Sequence, residues 1–371
     1  MAVAGRKISA ASARAHTRKS KQKSSFKLPS GMFKTLSLVL LVGFLAWAYQ
    51  VIQPPPPEVC GSPSGPPVTA PRIKLKDGRH LAYKEYGVPK ENAKYKIVFV
   101  HGFGSCRHDA SFMSQEFAEE LGIYLVSFDR AGYGESDPNP SRTVKSSVLD
   151  VEELADQLGL GSKFYLIGYS MGGQVVWSAL KYIPHRLLGA TLLTPVVNYW
   201  WPGFPANLSK EVYNQQFTRD QWAVRVAHYT PWLTYWWNTQ KWFPASSVAS
   251  DNLEIISQPD RAILPKIAAK RTYLAQITQQ GKFESLHRDM IVGFGKWEFD
   301  PMDLENPFPN NEGSVHLWQG DQDLLVPITL QRYIAEKLPW IQYHELKDTG
   351  HFFPYAEGLG EAFLRAFLPE K

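Results

Sequence analysis

Phe164-Tyr165-Leu166-Ile167-Gly168-Tyr169-Ser170-Met171-Gly172-Gly173 is the stretch whose reading decides the fold. An apolar run of strand formers leads into G-x-S-x-G, and a segment of helical period follows over residues 174–182. Strand, sharp turn and helix in that order form a nucleophile elbow. The serine sits at a strained backbone position, and side chains at 168 and 172 would collide with the neighbouring strand and helix. The turn presents Ser170 beyond the sheet, and the N–H of Met171, at the start of the helix, is placed to meet a developing negative charge.

Outward from the elbow, strands and helices alternate. Residues 72–76 and 80–86 are short alternating segments joined by Asp77-Gly78, a hairpin signal. Strands are expected at 95–100, 123–128, 164–169 and 187–193, with helices over 111–121 and 145–158 between them. This rhythm predicts a mostly parallel central sheet with helices on both faces, its functional groups beyond the carboxyl ends of the strands.

Residues 195–310 break the rhythm, with eight of the twelve tryptophans and no run of strands, and read as a mostly helical insertion. The alternation then resumes with strands at 314–318 and 341–346 and helices at 327–338 and 356–367.

Before the folded body, which begins near residue 70, the composition changes. Nine Lys/Arg and no acid lie between Met1 and Lys34, leaving 31 basic against 35 acidic residues in the rest of the chain. The basic balance therefore belongs to the tail, and nothing in the body calls for nucleic acid as a partner. Residues 1–34 read as a disordered basic tail.

Residues 36–52 are seventeen uncharged residues ending in an aromatic pair, Trp47 and Tyr49. A span over 35–52 fits a single-pass anchor with the tail in the cytosol and the body in a lumen. An organelle transit peptide, chloroplast or mitochondrial, and a buried or interfacial helix are the alternatives. Residues 53–69, with four consecutive prolines, read as a stiff linker. Cys60 and Cys106 fit no metal pattern, and nothing in the sequence requires them to pair.

Four further pieces fall where strands should end: Val100-His101-Gly102-Phe103-Gly104, Phe128-Asp129-Arg130-Ala131-Gly132-Tyr133-Gly134-Glu135-Ser136, Trp318-Gln319-Gly320-Asp321-Gln322-Asp323-Leu324-Leu325-Val326-Pro327, and Asp348-Thr349-Gly350-His351-Phe352. With these and the elbow, the chain resembles the α/β-hydrolase superfamily from about residue 72 to its C-terminus, the tryptophan-rich insertion apart. More narrowly it is similar to plant α/β-fold hydrolases with largely unassigned substrates.

The resemblance implies Ser170 as nucleophile, His351 as general base and Asp323 as its orienting acid, in the chain order of that fold. It implies the amides of Phe103 and Met171 as the oxyanion hole, no cofactor or metal, and the insertion as a cap over the site. The pattern G-x-x-D-x-x-V-P selects Asp323 over Asp321, which is left as a loop-capping residue. His344 reads as a structural histidine, His101 as a brace for its loop, Asp129 and Arg130 as closing their turn, and Asp150, Glu152 and Glu153 as a solvated helix face.

The activity so implied is a membrane-anchored serine hydrolase acting on a small apolar or lipid-like ester. A ligand receptor of the same fold, and an acyltransferase, thioesterase or carbon–carbon hydrolase, stay open. Epoxide hydrolases and dehalogenases of this fold use aspartate at the elbow, so a serine at 170 argues against both. Asn207-Leu208-Ser209 is an N-glycosylation sequon whose use would place the body in a lumen.

Overall fold

The computed structural model describes residues 30–250 and 252–369, so the basic tail expected at 1–34 lies outside the described residues as far as residue 29. The chain divides into two units between Val51 and Ile52. The first carries α1 (Ser30–Ile52), 23 residues long. At 1.5 Å per residue such a helix is about 35 Å long, enough to cross a hydrocarbon core of about 30 Å. Its apolar stretch Gly31–Ile52 has a mean hydropathy of 1.9, a property shared by membrane anchors and signal sequences.

The second unit is built on eight strands: β1 (Arg72–Lys74), β2 (His80–Gly87), β3 (Tyr95–Val100), β4 (Ile123–Phe128), β5 (Phe164–Tyr169), β6 (Leu187–Leu193), β7 (Val315–Gly320) and β8 (Ile341–Leu346). Their order in the sheet is β1-β2-β4-β3-β5-β6-β7-β8. β1 and β2 form the antiparallel hairpin around Asp77-Gly78, β2 runs antiparallel to β4, and all remaining pairs are parallel. Because both faces are covered, β4 and β5 are buried at every residue.

Alternate residues of each strand enter different cores. Val98 and Val100 pack with α3 (Val144–Gln157), α4 (Gly172–Tyr182) and α11 (Ile328–Lys337) on one face. Ile97 and Phe99 pack with α2 (Gln115–Leu121) and α12 (Leu359–Phe367) on the other.

Between β6 and β7 the described residues hold no strand. They form α5 (Ala206–Gln215), α6 (Thr218–Tyr229), α7 (Thr234–Thr239), α8 (Gln258–Lys270), α9 (Leu274–Ile277) and α10 (Arg288–Phe294), with a π-helical turn, Phe283–His287, leading into α10.

Three local expectations are corrected. α2 begins at Gln115 rather than 111, because Ser114 Oγ accepts from the N–H of Phe117 at 3.1 Å and so caps the helix there. The last helix begins at Leu359 rather than 356, after a 3-10 turn at Phe353–Tyr355 and Gly358 at φ 76°. Asp150 is not on a solvated face: it is 6% exposed and paired with Arg79 at 2.7 Å.

The segment before β1 lies against the domain. The amides of Thr69 and Ala70 donate to Glu135 Oε2 at 2.6 and 2.9 Å, and the amide of Cys60 donates to Gln280 Oε1 at 3.0 Å. Cys60 and Cys106 are buried free thiols.

Candidate active site

The elbow explains its own glycines. Ser170 has φ 54°, a left-handed conformation that costs a non-glycine residue of order 1 kcal/mol or more. A Cβ on Gly168 would stand 2.4 Å from the carbonyl oxygen of Gly172, and one on Gly172 would stand 2.2 Å from that of Val100. The bare backbone lets α4 start directly under the strand ends, which lifts Ser170 over β3 and β6.

His351 and Asp323 come from the loops after β8 and β7, the neighbouring strand ends. His351 Nδ1 lies 2.7 Å from Asp323 Oδ2. The other oxygen of Asp323 accepts from the amides of Leu325 and Val326 at 2.8 and 2.9 Å, and Gln319 Nε2 donates to Oδ2 at 3.0 Å. Four donors therefore fix the carboxylate. Burial pulls the His351 imidazole down, and the charge and hydrogen bond of Asp323, with the charge of Asp260, more than reverse it, so its pKa lies above the ordinary 6.5.

Phe103 follows β3 on a loop that His101 and Arg130 hold. His101 Nδ1 lies 2.8 Å from the carbonyl oxygen of Gly102, and its Nε2 accepts from the amide of Arg130 at 3.0 Å. Burial, then the Arg130 charge, keeps the imidazole well below its usual pKa, so it is neutral and its Nδ1–H is the donor to Gly102. Arg130 Nη2 donates to the same carbonyl at 2.9 Å. Among the described residues the amides of Phe103 and Met171 have no hydrogen-bond acceptor.

The remaining candidates sort clearly. Asp321 accepts from the amide of Thr349 at 3.2 Å, and His344 lies 2.9 Å from His316 and stacks on Trp318; neither lines the cavities at Ser170. Asp129 closes its turn by accepting from the amides of Arg107 and Glu135 at 2.7 and 2.9 Å. Arg130 does more than close a turn: its guanidinium reaches Asp289 on α10 at 2.8 Å.

Two cavities meet at Ser170. One, of about 110 Å³, is lined mostly by apolar side chains that include Val196, Tyr199, Val224, Met290 and Phe294, with Gln216, Asp220 and Ser246 beside them. The other, of about 410 Å³, adds polar groups from Ser105, Asn252, Arg271 and Lys282. Phe103, Ser170, Val248, Ile255, Leu325 and His351 border both. The waist between the cavities is therefore where the serine and histidine stand, with residues of the helical insertion on the walls. Among the described residues no group of three or more His, Cys, Asp or Glu is placed to hold a metal ion.

Sequence reasoning missed Asp260 and Asp289. Asp260, 1% exposed on α8, accepts from the amides of His351 and Phe352 at 2.8 and 2.7 Å. Ser257-Gln258-Pro259-Asp260 signals a helix start, but that signal says nothing of what else the carboxylate touches.

The comparisons with known proteins agree with this geometry at the level of the fold. A family model for the alpha/beta hydrolase fold matches residues 95–357. "Probable lysophospholipase BODYGUARD 2" of Arabidopsis thaliana is 23% identical over 276 residues, 71% of this chain and 56% of that protein. A 2-succinyl-6-hydroxy-2,4-cyclohexadiene-1-carboxylate synthase of Escherichia coli O1:K1 / APEC is 30% identical over 138 residues, 35% of this chain and 47% of that protein. The chain spans between 30% and 56% of the length of the curated relatives it matches.

Among solved structures, a thermophilic esterase from Thermogutta terrifontis aligns with a TM-score of 0.55 at 20% identity, covering 81% of this chain and 97% of that one. An esterase from Exiguobacterium antarcticum aligns with a TM-score of 0.53 at 15% identity, covering 80% and 98%. With a family model spanning more than two thirds of its length, this chain belongs to the alpha/beta hydrolase fold family.

Proposed function

We propose that this protein is a membrane-anchored serine hydrolase that cleaves an apolar, lipid-like carboxylic ester through an acyl-enzyme intermediate. The observation that carries the reading is the coincidence, at the waist of two cavities, of a serine at φ 54° and a histidine whose Nδ1 is held 2.7 Å from a fixed carboxylate.

The chemistry follows from the placement. A serine hydroxyl is a weak nucleophile until a base takes its proton. With Nδ1 of His351 committed to Asp323, Nε2 is the nitrogen left for Ser170, and in the reactive complex the two approach to about 3 Å. Ser170 Oγ bonds to the ester carbonyl carbon as its proton passes to His351. The resulting oxyanion takes the unspent amides of Phe103 and Met171, each contributing on the order of 3 kcal/mol. His351 then returns the proton to the departing alcohol, and water repeats the sequence on the acyl-enzyme.

The two cavities divide the ester. A cavity of about 150 Å³ takes a benzene ring, so the 110 Å³ compartment suits a short apolar group and the 410 Å³ compartment the larger half. The partial likeness to a protein named as a lysophospholipase supports a lipid-like ester. The anchor is α1, with the basic tail cytosolic and the hydrolase domain lumenal. Asn207 is exposed on α5, so a glycan there, read by mass spectrometry, and protection of the domain from protease in sealed membranes both test that topology.

The reaction is tested by labelling the full-length protein in membranes with a fluorophosphonate probe, beside Ser170→Ala and His351→Ala. Labelling is expected for the unmutated protein, lost in the serine variant and sharply reduced in the histidine variant. A folded protein that is never labelled, yet binds a ligand with Ser170 replaced, would instead be a receptor. An ester library with acyl and alcohol halves varied separately, with and without an acceptor alcohol or thiol, separates hydrolysis from acyl transfer.

A further inference from the structure

We propose that Asp260, a carboxylate delivered by the cap, is a positioning residue for the base: it holds the turn carrying His351, so that the imidazole is set only while α8 is seated on the core. The inference rests on reading Ser170, His351 and Asp323 as the catalytic set.

Asp260 lies in the first turn of α8, behind the N-cap Ser257. Its Oδ2 accepts from the amide of His351 at 2.8 Å and from Ser257 Oγ at 2.7 Å, and its Oδ1 accepts from the amide of Phe352 at 2.7 Å. One buried carboxylate thus straddles two consecutive amides, the first belonging to the histidine itself. Hydrogen bonds to an ionised acceptor are shorter and stronger than neutral ones, which suits such a group to fixing a turn.

Gly350 supplies a second, independent observation. A Cβ there would lie 2.3 Å from the Asp260 carboxyl carbon, and Gly350 is not at a positive φ. The glycine is needed for space, and the space is filled by this carboxylate. The turn that carries His351 is therefore shaped to receive a group from the cap.

The rest of α8 connects that contact to substrate. Leu264 and Ile267 lie on the wall of the larger cavity, and Arg271, just past the helix, pairs with Asp109 of the core at 2.7 Å. A helix that lines the cavity is tied to the core at both ends, and one of those ties ends on the base. Besides Asp260, the groups facing His351 are Asp323 from the loop after β7 and Tyr169 and Ser170 from the elbow. The Tyr169 hydroxyl donates to the His351 carbonyl at 3.3 Å, and burial keeps it neutral. Asp323 and Asp260 are the two carboxylates whose charge acts on the imidazole.

The test uses the full-length protein with 15N-labelled histidine, the His351 signal being assigned with His351→Gln. The His351 titration is followed by NMR, and the fluorophosphonate labelling rate is measured against pH, for the native chain, Asp260→Asn and Gly350→Ala. A carboxylate favours the imidazolium, so Asp260→Asn should move the His351 midpoint to lower pH. Displacement of the imidazole should slow labelling at the pH plateau by on the order of 10-fold to 100-fold. Gly350→Ala, which keeps the carboxylate but pushes it away, should slow labelling in the same direction.

Native titration and native labelling in both variants would overturn the proposal. A native chain that is never labelled, with a His351 midpoint that still falls in Asp260→Asn, would sink the hydrolase reading, and the role for the base with it, while leaving the contact between Asp260 and the His351 turn in place.

Discussion

Arg130 Nη1 donates to Asp289 Oδ1 at 2.8 Å, joining the turn after β4 to cap helix α10 in a place where both side chains are buried. The same carboxylate accepts from Arg142 Nη2 and from the Tyr133 hydroxyl, each at 2.7 Å. With Arg271–Asp109 and the Asp260 contact, charged ties and not apolar packing alone join the cap to the core.

Removing Asp289 should therefore cost more than a surface ion pair would. Asp289→Ala leaves two guanidinium groups buried without their partner, and a broken buried pair costs about 3–5 kcal/mol. Urea denaturation should show a loss of that order.

The pH dependence has a definite sign. Burial raises the Asp289 pKa, and the charges of Arg130 and Arg142 more than offset it, so the group is held below its usual range. A depressed folded pKa contributes stability that is present above the unfolded value and is lost as pH falls through the folded one. The gap in melting temperature between the native protein and Asp289→Asn should thus narrow on acidification.

The sheet and the elbow were legible in the sequence because their signals are local. G-x-S-x-G needs its glycines for contacts within ten residues and one neighbouring strand, and doubly covered strands read as unbroken apolar runs. Ser170, Asp323 and His351 were legible for a related reason, since each sits at a strand end whose position the alternation marks. Asp150 was misread because its helix pattern does not reveal Arg79, 71 residues away across the hairpin. Asp260 and Asp289 were invisible because a cap carboxylate acquires its role from the loop beneath it, and no periodicity encodes where a helical insertion lands.

His351 predicts the acid limb of the activity profile. In the proposed mechanism the working base is the neutral imidazole, and its pKa lies above 6.5, so turnover should fall on acidification with a midpoint above that value. Asp323→Asn removes the larger of the two charges that raise it. Any residual labelling by that variant should have its midpoint at lower pH.

Gly172 tests whether the elbow tolerates any side chain. Its Cβ would meet the carbonyl oxygens of Val100 at 2.2 Å and His101 at 2.8 Å, backbone atoms at the end of a central strand that cannot swing aside. Gly172→Ala should destabilise by about 1–3 kcal/mol or more. The amide of Met171, next to the forced shift, should lose alignment, so the labelling rate per folded molecule should fall as well.

The tryptophans of the cap separate by burial. Trp201 is 3% exposed and packs edge-on to Trp177 and Trp297, so Trp201→Ala should cost about 3–5 kcal/mol. Trp242 is 76% exposed, on a turn where Gln240 Oε1 accepts from the amides of Trp242 and Phe243 at 2.5 and 2.8 Å. Trp242→Ala should change stability by no more than about 0.5 kcal/mol. The turn leads directly to Ser246 and Val248 on the cavity walls, and a tryptophan ring favours the boundary between water and lipid. For a hydrolase that takes its ester from a membrane, Trp242→Ala should slow turnover of a vesicle-embedded ester while leaving a water-soluble short ester at the native rate. Equal rates on both substrates would assign this ring no part in reaching lipid.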